Sequence, residues 1–263
     1  MRADKFFADH FGSRTKSAQA LEKGLVLING KPIRAKDEVN ETDEFVILTA
    51  KEQFVSNGGY KLSRAVENFS LSIKDKVFVD IGASTGGFTD CLLQNGAKTV
   101  FAVDVGESLL DSSLLQTDKV VVMDNTNARY LTKENFPVEI DGIVTDVSFI
   151  SLRLILPVIA NILNEKGFAV VLIKPQFECD KQSVGKSGIV ATYKHEGIVK
   201  KVLSYALENG LYPFGVVNAP VRKGKNIEYV MLLKKNSQQS LTCETILREI
   251  KRLVKENSQG SLA

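Results

Sequence analysis

From Lys61 onward two kinds of apolar spacing take turns along the chain. VFVDI (77–81), TVFAVDV (99–105), VVVMD (120–124), DGIVTDVSFI (141–150) and GFAVVLIKPQ (167–176) are short, nearly continuous apolar runs, the pattern of strands covered on both faces. Between them KLSRAVENF (61–69), GFTDCLLQNG (87–96), LRLILPVIANIL (152–163) and HEGIVKKVLSYALENG (195–210) repeat apolar residues three and four apart, which predicts amphipathic helices. YPFGVVNAP (212–220) and NIEYVMLLKK (226–235) read as an antiparallel pair. Strands alternating with helices in this way predict an α/β fold, a parallel sheet with helices on both faces and ligands at the carboxyl ends of its strands. After Lys235, TCETILREIKRLVKE (242–256) predicts one more amphipathic helix, set apart as a helical tail over 236–263.

The first 50 residues follow a different pattern. SRTKSAQALEKG (13–24) is a short helix, with Ser13 placed to cap it and Gly24 to end it. LVLING (25–30) is a strand entering an Asn29-Gly30 turn, and EFVIL (44–48) a further strand. This makes a small α+β unit, and its charge is uneven. Through Lys36 there are eight basic residues (Arg2, Lys5, Arg14, Lys16, Lys23, Lys31, Arg34, Lys36) against Asp4, Asp9 and Glu22, a net +5. Basic residues on a helix and the adjoining turn, in a unit too small to hold an active site, fit RNA recognised by shape through its phosphates. The polar stretch TAKEQFVSN (49–57) is the expected hinge, giving domains at 1–50 and 58–235 with a linker at 51–57.

Composition narrows the class. A 263-residue chain with 44% hydrophobic and 25% charged residues is long enough for a sizeable core plus an accessory domain. No apolar run reaches membrane-spanning length, since Leu152–Leu163 is broken by Arg153, Pro157 and Asn161. MRADKFFADHF lacks the apolar core of a signal peptide, and Cys91, Cys179 and Cys243 are isolated, without metal-ligand spacing. The expectation is a cytoplasmic protein that needs no metal and has no stable membrane association.

The glycine-rich turn after VFVDI favours one ligand class, against a dinucleotide and against two strand-end acids that merely cap helices. The phosphate-loop pattern is absent because Gly82 and Gly87 are followed by Phe88-Thr89, and Ala83-Ser84 breaks the dinucleotide fingerprint. Asp80 at the end of the strand would repel a pyrophosphate but welcome a cation. S-adenosylmethionine (SAM) carries an ammonium and a sulfonium and no phosphate. Asp104 follows 24 positions later, in the next strand, near the usual offset for an acid that grips ribose hydroxyls. Asp80, Gly82, Ser84, Gly86 and Gly87 are therefore expected at the amino-acid end of SAM, Asp104 at its ribose, and Asp124 and Asn127 near the adenine.

The strand ends also narrow the acceptor. TDVSF lacks the Asn/Asp-Pro-Pro-aromatic element of amino-group methylases, and no cysteine stands where a cytosine-carbon methylase needs its thiol. What remains is Lys61 at a helix start and Asp146, Lys174 and Glu228 at strand ends. Two lysines and two acids in these places resemble the catalytic K-D-K-E set of FtsJ-like ribose 2′-O-methyltransferases.

Two resemblances cover nearly the whole chain to about Lys235. MRADKFF…GSRTKSAQALEKGLVLINGKPI is similar to the S-four-type RNA-binding domain, with Ala3 where a leucine is usual and Ser17 where an alanine is. GGYKL, DIGASTGGFTDCLL, VDVG, TNARYL, DVSFISL, KPQFE and NIEY behind it resemble the TlyA (hemolysin A-like) family. Asn57 departs from that family's usual arginine, and ESLLDSSLLQ from its usual G-Q-L-x-x-S-L-R. The family resemblance implies a Rossmann-like SAM-dependent methyltransferase acting on ribosomal RNA or ribosomal subunits. It places Lys174 at the ribose hydroxyl as base or as electrostatic stabiliser, with Asp146 and Glu228 holding its ammonium and Lys61 on the substrate phosphate or the developing charge. Two rivals are a membrane-active hemolysin and a non-catalytic RNA-binding protein. The first would need an exposed apolar hairpin or a strongly amphipathic basic helix, and the second would be expected to lack part of the lysine-acid set.

Overall fold

The computed structural model describes residues 1–22, 24–40, 42–47, 53–220 and 224–259. These form two compact units, Met1–Gln53 and Phe54–Ala263. Of the stretch expected to be the hinge, residues 49–52 lie outside the described residues, as does Lys23.

In the first unit α1 (Ala3–Phe6) and α2 (Arg14–Glu22) pack with a three-stranded antiparallel sheet of β1 (Val26–Ile28), β2 (Lys31–Pro32) and β3 (Phe45–Ile47), in the order β2-β1-β3. The β1–β2 turn places Asn29 at φ 48° and Gly30 at φ 76°. These are the two left-handed residues that a tight hairpin with right-handed twist requires. Ala3, Phe7, Leu21, Val26 and Val39 form its small core. Ser13 caps α2 as expected, accepting from the Lys16 amide at 3.2 Å. Ser17 is fully buried and its hydroxyl has no hydrogen-bond partner among the described residues.

The second unit is a seven-stranded sheet with helices on both faces. The elements in chain order are α3 (Asn57–Phe69), β4 (Val77–Ile81), α4 (Gly87–Gln94), β5 (Thr99–Val103), β6 (Val120–Met123), β7 (Ile140–Thr145), α5 (Leu156–Ile162), β8 (Leu163–Ile173), α6 (Pro175–Glu178), α7 (His195–Glu208), β9 (Tyr212–Asn218), β10 (Tyr229–Lys234) and α8 (Cys243–Gln259). The sheet order is β6-β5-β4-β7-β8-β10-β9. β4 to β8 are parallel, and β10 runs antiparallel to both β8 and β9. The chain leaves β4 in one direction for β5 and β6, then returns to place β7 on the other side of β4. A crevice opens at such a reversal, beyond the carboxyl ends of the two central strands.

Side chains of one strand alternate between two cores. Val77, Val79 and Ile81 of β4 join the layer that holds α5, α7 and α8, while Phe78 joins the layer under α3 and α4. Asp80 shares the side of Phe78, which puts a carboxyl group under α4.

Two helices differ from the expected bounds. α3 begins at Asn57 rather than Lys61, so Gly58 and Gly59 form its first turn. The reason is close packing: a Cβ on Gly59 would lie 2.2 Å from the ring of Phe54. The helix that was set apart as a tail, α8, packs on the sheet instead. Ile246, Ile250 and Leu253 are buried in the same core layer as α7, each contributing about 1.5–3 kcal/mol of apolar burial. Outside that stripe α8 carries the ion pairs of Arg252 with Glu249 and Glu256, and Lys251 pairs with Glu196 of α7. Among the described residues no helix is long and apolar enough to cross a membrane.

Candidate active site

The four residues of the lysine-acid set meet at the carboxyl end of the sheet. Lys61 comes from the second turn of α3, Asp146 follows β7, Lys174 follows β8 and Glu228 precedes β10. Asp146 bridges the two lysines: its carboxylate lies 3.1 Å from Lys61 Nζ and 2.6 Å from Lys174 Nζ. Glu228 lies 2.8 Å from Lys61 Nζ. Glu228 was expected to hold Lys174, but its partner is Lys61. Lys174 is drawn to the β7 side, where it also donates to the Ser148 hydroxyl at 2.8 Å. Ser148 is thus a member of the cluster that sequence reasoning missed, although it stands in the DVSFISL motif two residues beyond Asp146.

Burial distinguishes these groups. Lys174 is only 7% exposed. At Lys61, burial works against the charged ammonium, but Asp146 and Glu228 together outweigh it and hold the pKa above the ordinary lysine value. Lys61 is therefore a fixed positive charge at neutral pH.

The glycine turn after β4 forms one wall of a cleft of about 670 Å³, lined among others by Gly82, Ser84, Asp104, Asn127 and Asp146. A smaller adjoining hollow reaches from Ser84 and Gly87 to Lys174 and Ser148. The turn is strapped to β5, with Gly82 and Ala83 amides donating to the Val103 carbonyl at 2.9 and 3.1 Å. Asp104 accepts from the Ser84 and Gly106 amides at 2.8 and 2.9 Å, which fixes its carboxylate at the cleft edge. Gly82 (φ 81°) has Val147 and the Asp146 carbonyl within 3.3 Å of where a Cβ would stand, so the turn can approach the end of β7 closely only without a side chain.

Several of the residues expected here also serve other contacts, or serve those alone. Gly86 makes room for Leu114, and Gly87 for Ser56 and the backbone of Gly59. Asn127 caps a short helical turn, accepting from the Arg129 amide at 3.2 Å. Asp124 accepts from the Ser108 amide at 2.8 Å, and its second oxygen is buried without a partner. Asp80 lies beneath the turn, fully buried. Its Oδ2 accepts from Thr89 at 2.7 Å, and its Oδ1 has no hydrogen-bond partner among the described residues. Burial pushes its pKa up from 3.8 to about 7, against the Thr89 hydrogen bond.

Beside the lysine-acid cluster stands Phe149, 91% exposed and at φ 64°. Its ring rests on Phe177 at 5.0 Å, and Phe177 lies 5.8 Å from Lys174 Nζ. A large aromatic side chain held outward on a left-handed backbone is a second feature that the sequence did not announce.

In the first unit Arg2, Lys5, Arg14, Lys16, Lys31 and Arg34 are all exposed. Arg2 and Arg14 converge on buried Asp4, at 2.9 and 3.0 Å, and their hydrogen bonds hold its pKa below the usual carboxylate value, led by that of Arg2. Each guanidinium keeps further N–H donors free to face solvent.

Residues 54–235 match the FtsJ-like methyltransferase family. "Putative rRNA methyltransferase YqxC" of Bacillus subtilis is 42% identical over 250 residues, 93% of this chain and 88% of that protein. The protein named 16S/23S rRNA (cytidine-2′-O)-methyltransferase TlyA of Mycobacterium tuberculosis is 36% identical over 93% of this chain and 92% of its own. Among solved structures, one titled "Putative hemolysin from Streptococcus thermophilus" superimposes with a TM-score of 0.73 at 35% identity, covering 98% of both chains. The family match over the sheet that carries the lysine-acid cluster, and relatives that span nearly the whole chain, place this protein in the FtsJ-like methyltransferase family, in the branch that bears the TlyA and hemolysin names.

Proposed function

We propose that this protein transfers a methyl group from SAM to the 2′-hydroxyl of a cytidine ribose in ribosomal RNA, with the first unit docking the RNA. The observation that carries the reading is the continuous ion-pair network Glu228–Lys61–Asp146–Lys174 at the strand ends, beside the cleft under the glycine turn. The cytidine follows the name of the M. tuberculosis relative.

The residues of the cleft fit SAM. A buried, unpartnered carboxylate oxygen of Asp80 beneath the turn favours a cation above it, and Asp104 at the rim can accept from ribose hydroxyls. When bound, SAM supplies an electrophilic methyl group on a sulfonium. The chain's own groups do the rest. Lys174, fixed by Asp146 and Ser148, orients the ribose hydroxyl and stabilises the negative charge that grows on its oxygen as its proton passes to water and the oxygen takes the methyl group from the sulfonium, leaving the neutral thioether. Lys61 adds a permanent positive charge that its two acids keep from shifting. Phe149 offers a face on which a base can stack while its ribose is held in the site. In the first unit, Arg2 and Arg14, splayed from Asp4, present donors to phosphates, and Lys5, Lys16, Lys31 and Arg34 extend the basic surface. This preserves the assignment of RNA affinity to one unit and chemistry to the other.

The test is methyl transfer from radiolabelled SAM to unmodified ribosomal subunits, with wild type beside Lys174→Ala. The expected result is label in RNA as alkali-resistant ribose methyl, lost in the variant while SAM affinity stays near normal. Label in a base, or none in either subunit, would refute the reading.

A further inference from the structure

Glu178 ends the single helical turn that begins after Lys174, and the reaction as described gives it nothing to do. It is 5% exposed, and among the described residues no cation reaches it within ion-pair distance. Both of its oxygens are nevertheless used. Oε1 accepts from the Leu152 amide at 2.8 Å and Oε2 from the Ser151 hydroxyl at 2.7 Å. Burial raises its pKa against those two hydrogen bonds, so a carboxylate here is a costly group that a packed apolar side chain would avoid.

Its partners stand on the segment that leaves β7. Asp146 opens that segment, Ser148 and Phe149 follow, and Ser151 and Leu152 close it. The opposing segment runs from Lys174 to Glu178. Three contacts join the two like rungs: Lys174 with Asp146 and Ser148, Phe177 with Phe149, and Glu178 with Ser151 and Leu152. Phe149 holds a left-handed backbone (φ 64°), a conformation that persists only where the surroundings enforce it. The same segment, Val147 to Ser151, lines the large cleft.

We propose that Glu178 is a positioning residue whose carboxylate fixes the Asp146–Leu152 segment against the Lys174 turn. It thereby sets both the Lys174–Asp146–Ser148 contacts and one wall of the cofactor cleft. The inference rests on the methyl-transfer reading above for its effect on rate, but not for its effect on cofactor affinity. Glutamine can fill the same role. Its carbonyl accepts from the Leu152 amide, and its amide donates to the Ser151 oxygen once that hydroxyl rotates.

The experiment compares wild type, Glu178→Ala, Glu178→Gln and Ser151→Ala. Calorimetry gives SAM affinity, steady-state transfer to ribosomal subunits gives kcat and KM, and thermal melting gives stability. In Glu178→Ala, kcat falls on the order of 10²-fold, the cost of misplacing groups by about 1 Å, and SAM affinity falls on the order of tenfold. Glu178→Gln restores both towards wild type. Ser151→Ala, which loses one of the two hydrogen bonds, falls between and reports on the latch even where alanine at 178 prevents folding. A lower melting temperature with wild-type kcat and SAM affinity overturns the proposal. So does a glutamine variant as impaired as the alanine one. Should the wild type transfer no methyl group to RNA, the activity reading fails and SAM affinity in the same variants still decides the role of Glu178.

Discussion

Asp80 offers a sharp test of the site's electrostatics. Its carboxyl is fully buried under the glycine turn, with Thr89 donating to one oxygen and nothing to the other. Burial lifts its pKa from 3.8 to about 7. In the unfolded chain an aspartate loses its proton near about 3.9. Between those two values the folded protein keeps a proton that the unfolded chain has released. Stability therefore falls as pH rises from about 4 to about 7, and is level on either side. A shift of about 3 pKa units at 1.36 kcal/mol each makes the whole fall about 4 kcal/mol. Asp80→Asn is neutral at every pH, and its carbonyl can still accept from Thr89. The variant should be more stable than wild type, with a gain at pH 8 exceeding that at pH 5 by roughly 2–3 kcal/mol. Urea denaturation of the methyltransferase unit at the two pH values measures it. Saturating SAM should shrink the gain at pH 8, because a cation above the turn favours the ionised aspartate. An equal gain at both pH values, or a variant less stable at pH 8, would refute the argument.

Other expectations follow from the first unit. Arg14→Glu reverses one of the two charges that converge on Asp4. It should weaken RNA binding, flatten its salt dependence and leave SAM affinity unchanged, as filter binding at several salt concentrations would show; an unchanged salt slope would remove Arg14 from the interface. Ser17→Ala deletes a buried hydroxyl that has no partner and should stabilise the unit by about 1 kcal/mol. A loss of stability on melting would mean that the hydroxyl is satisfied after all.

Strands buried on both faces were legible because they need no alternation: VFVDI and GFAVVLI declare themselves by apolar content alone. The Asn29-Gly30 hairpin was legible because few other residues tolerate two left-handed conformations in succession. The start of α3 was not, since a Gly-Gly pair is a poor helix former, and only the ring of Phe54 explains why glycine is required inside a helix. Lys61, Asp146, Lys174 and Glu228 could be picked out as strand-end and helix-start charges. Which acid holds which lysine depends on where neighbouring strands point their side chains, and composition does not encode that. For the same reason Asp80 could be placed at the turn but not beneath it. α8 was legible as an amphipathic helix, whereas the surface that receives its apolar face is assembled from two other elements, α7 and β9, whose packing the periodicity of α8 does not encode.

The position of β10 between β8 and β9 has a consequence for how the protein comes into being. A ribosome releases the chain from its amino end, so β4 to β7, with the whole glycine turn, emerge while Glu228 is still unmade. β8 must then wait with an open edge until β9 has been synthesised and β10 can insert between them. During that interval a nascent chain holds every residue that lines the cleft but lacks Glu228, the acid that pairs with Lys61. On the proposed reading competence therefore arrives late, with a strand that must join β8, more than fifty residues before it in sequence. A chain stopped before Glu228 should be a cofactor-binding fragment with an aggregation-prone edge and no transferase activity.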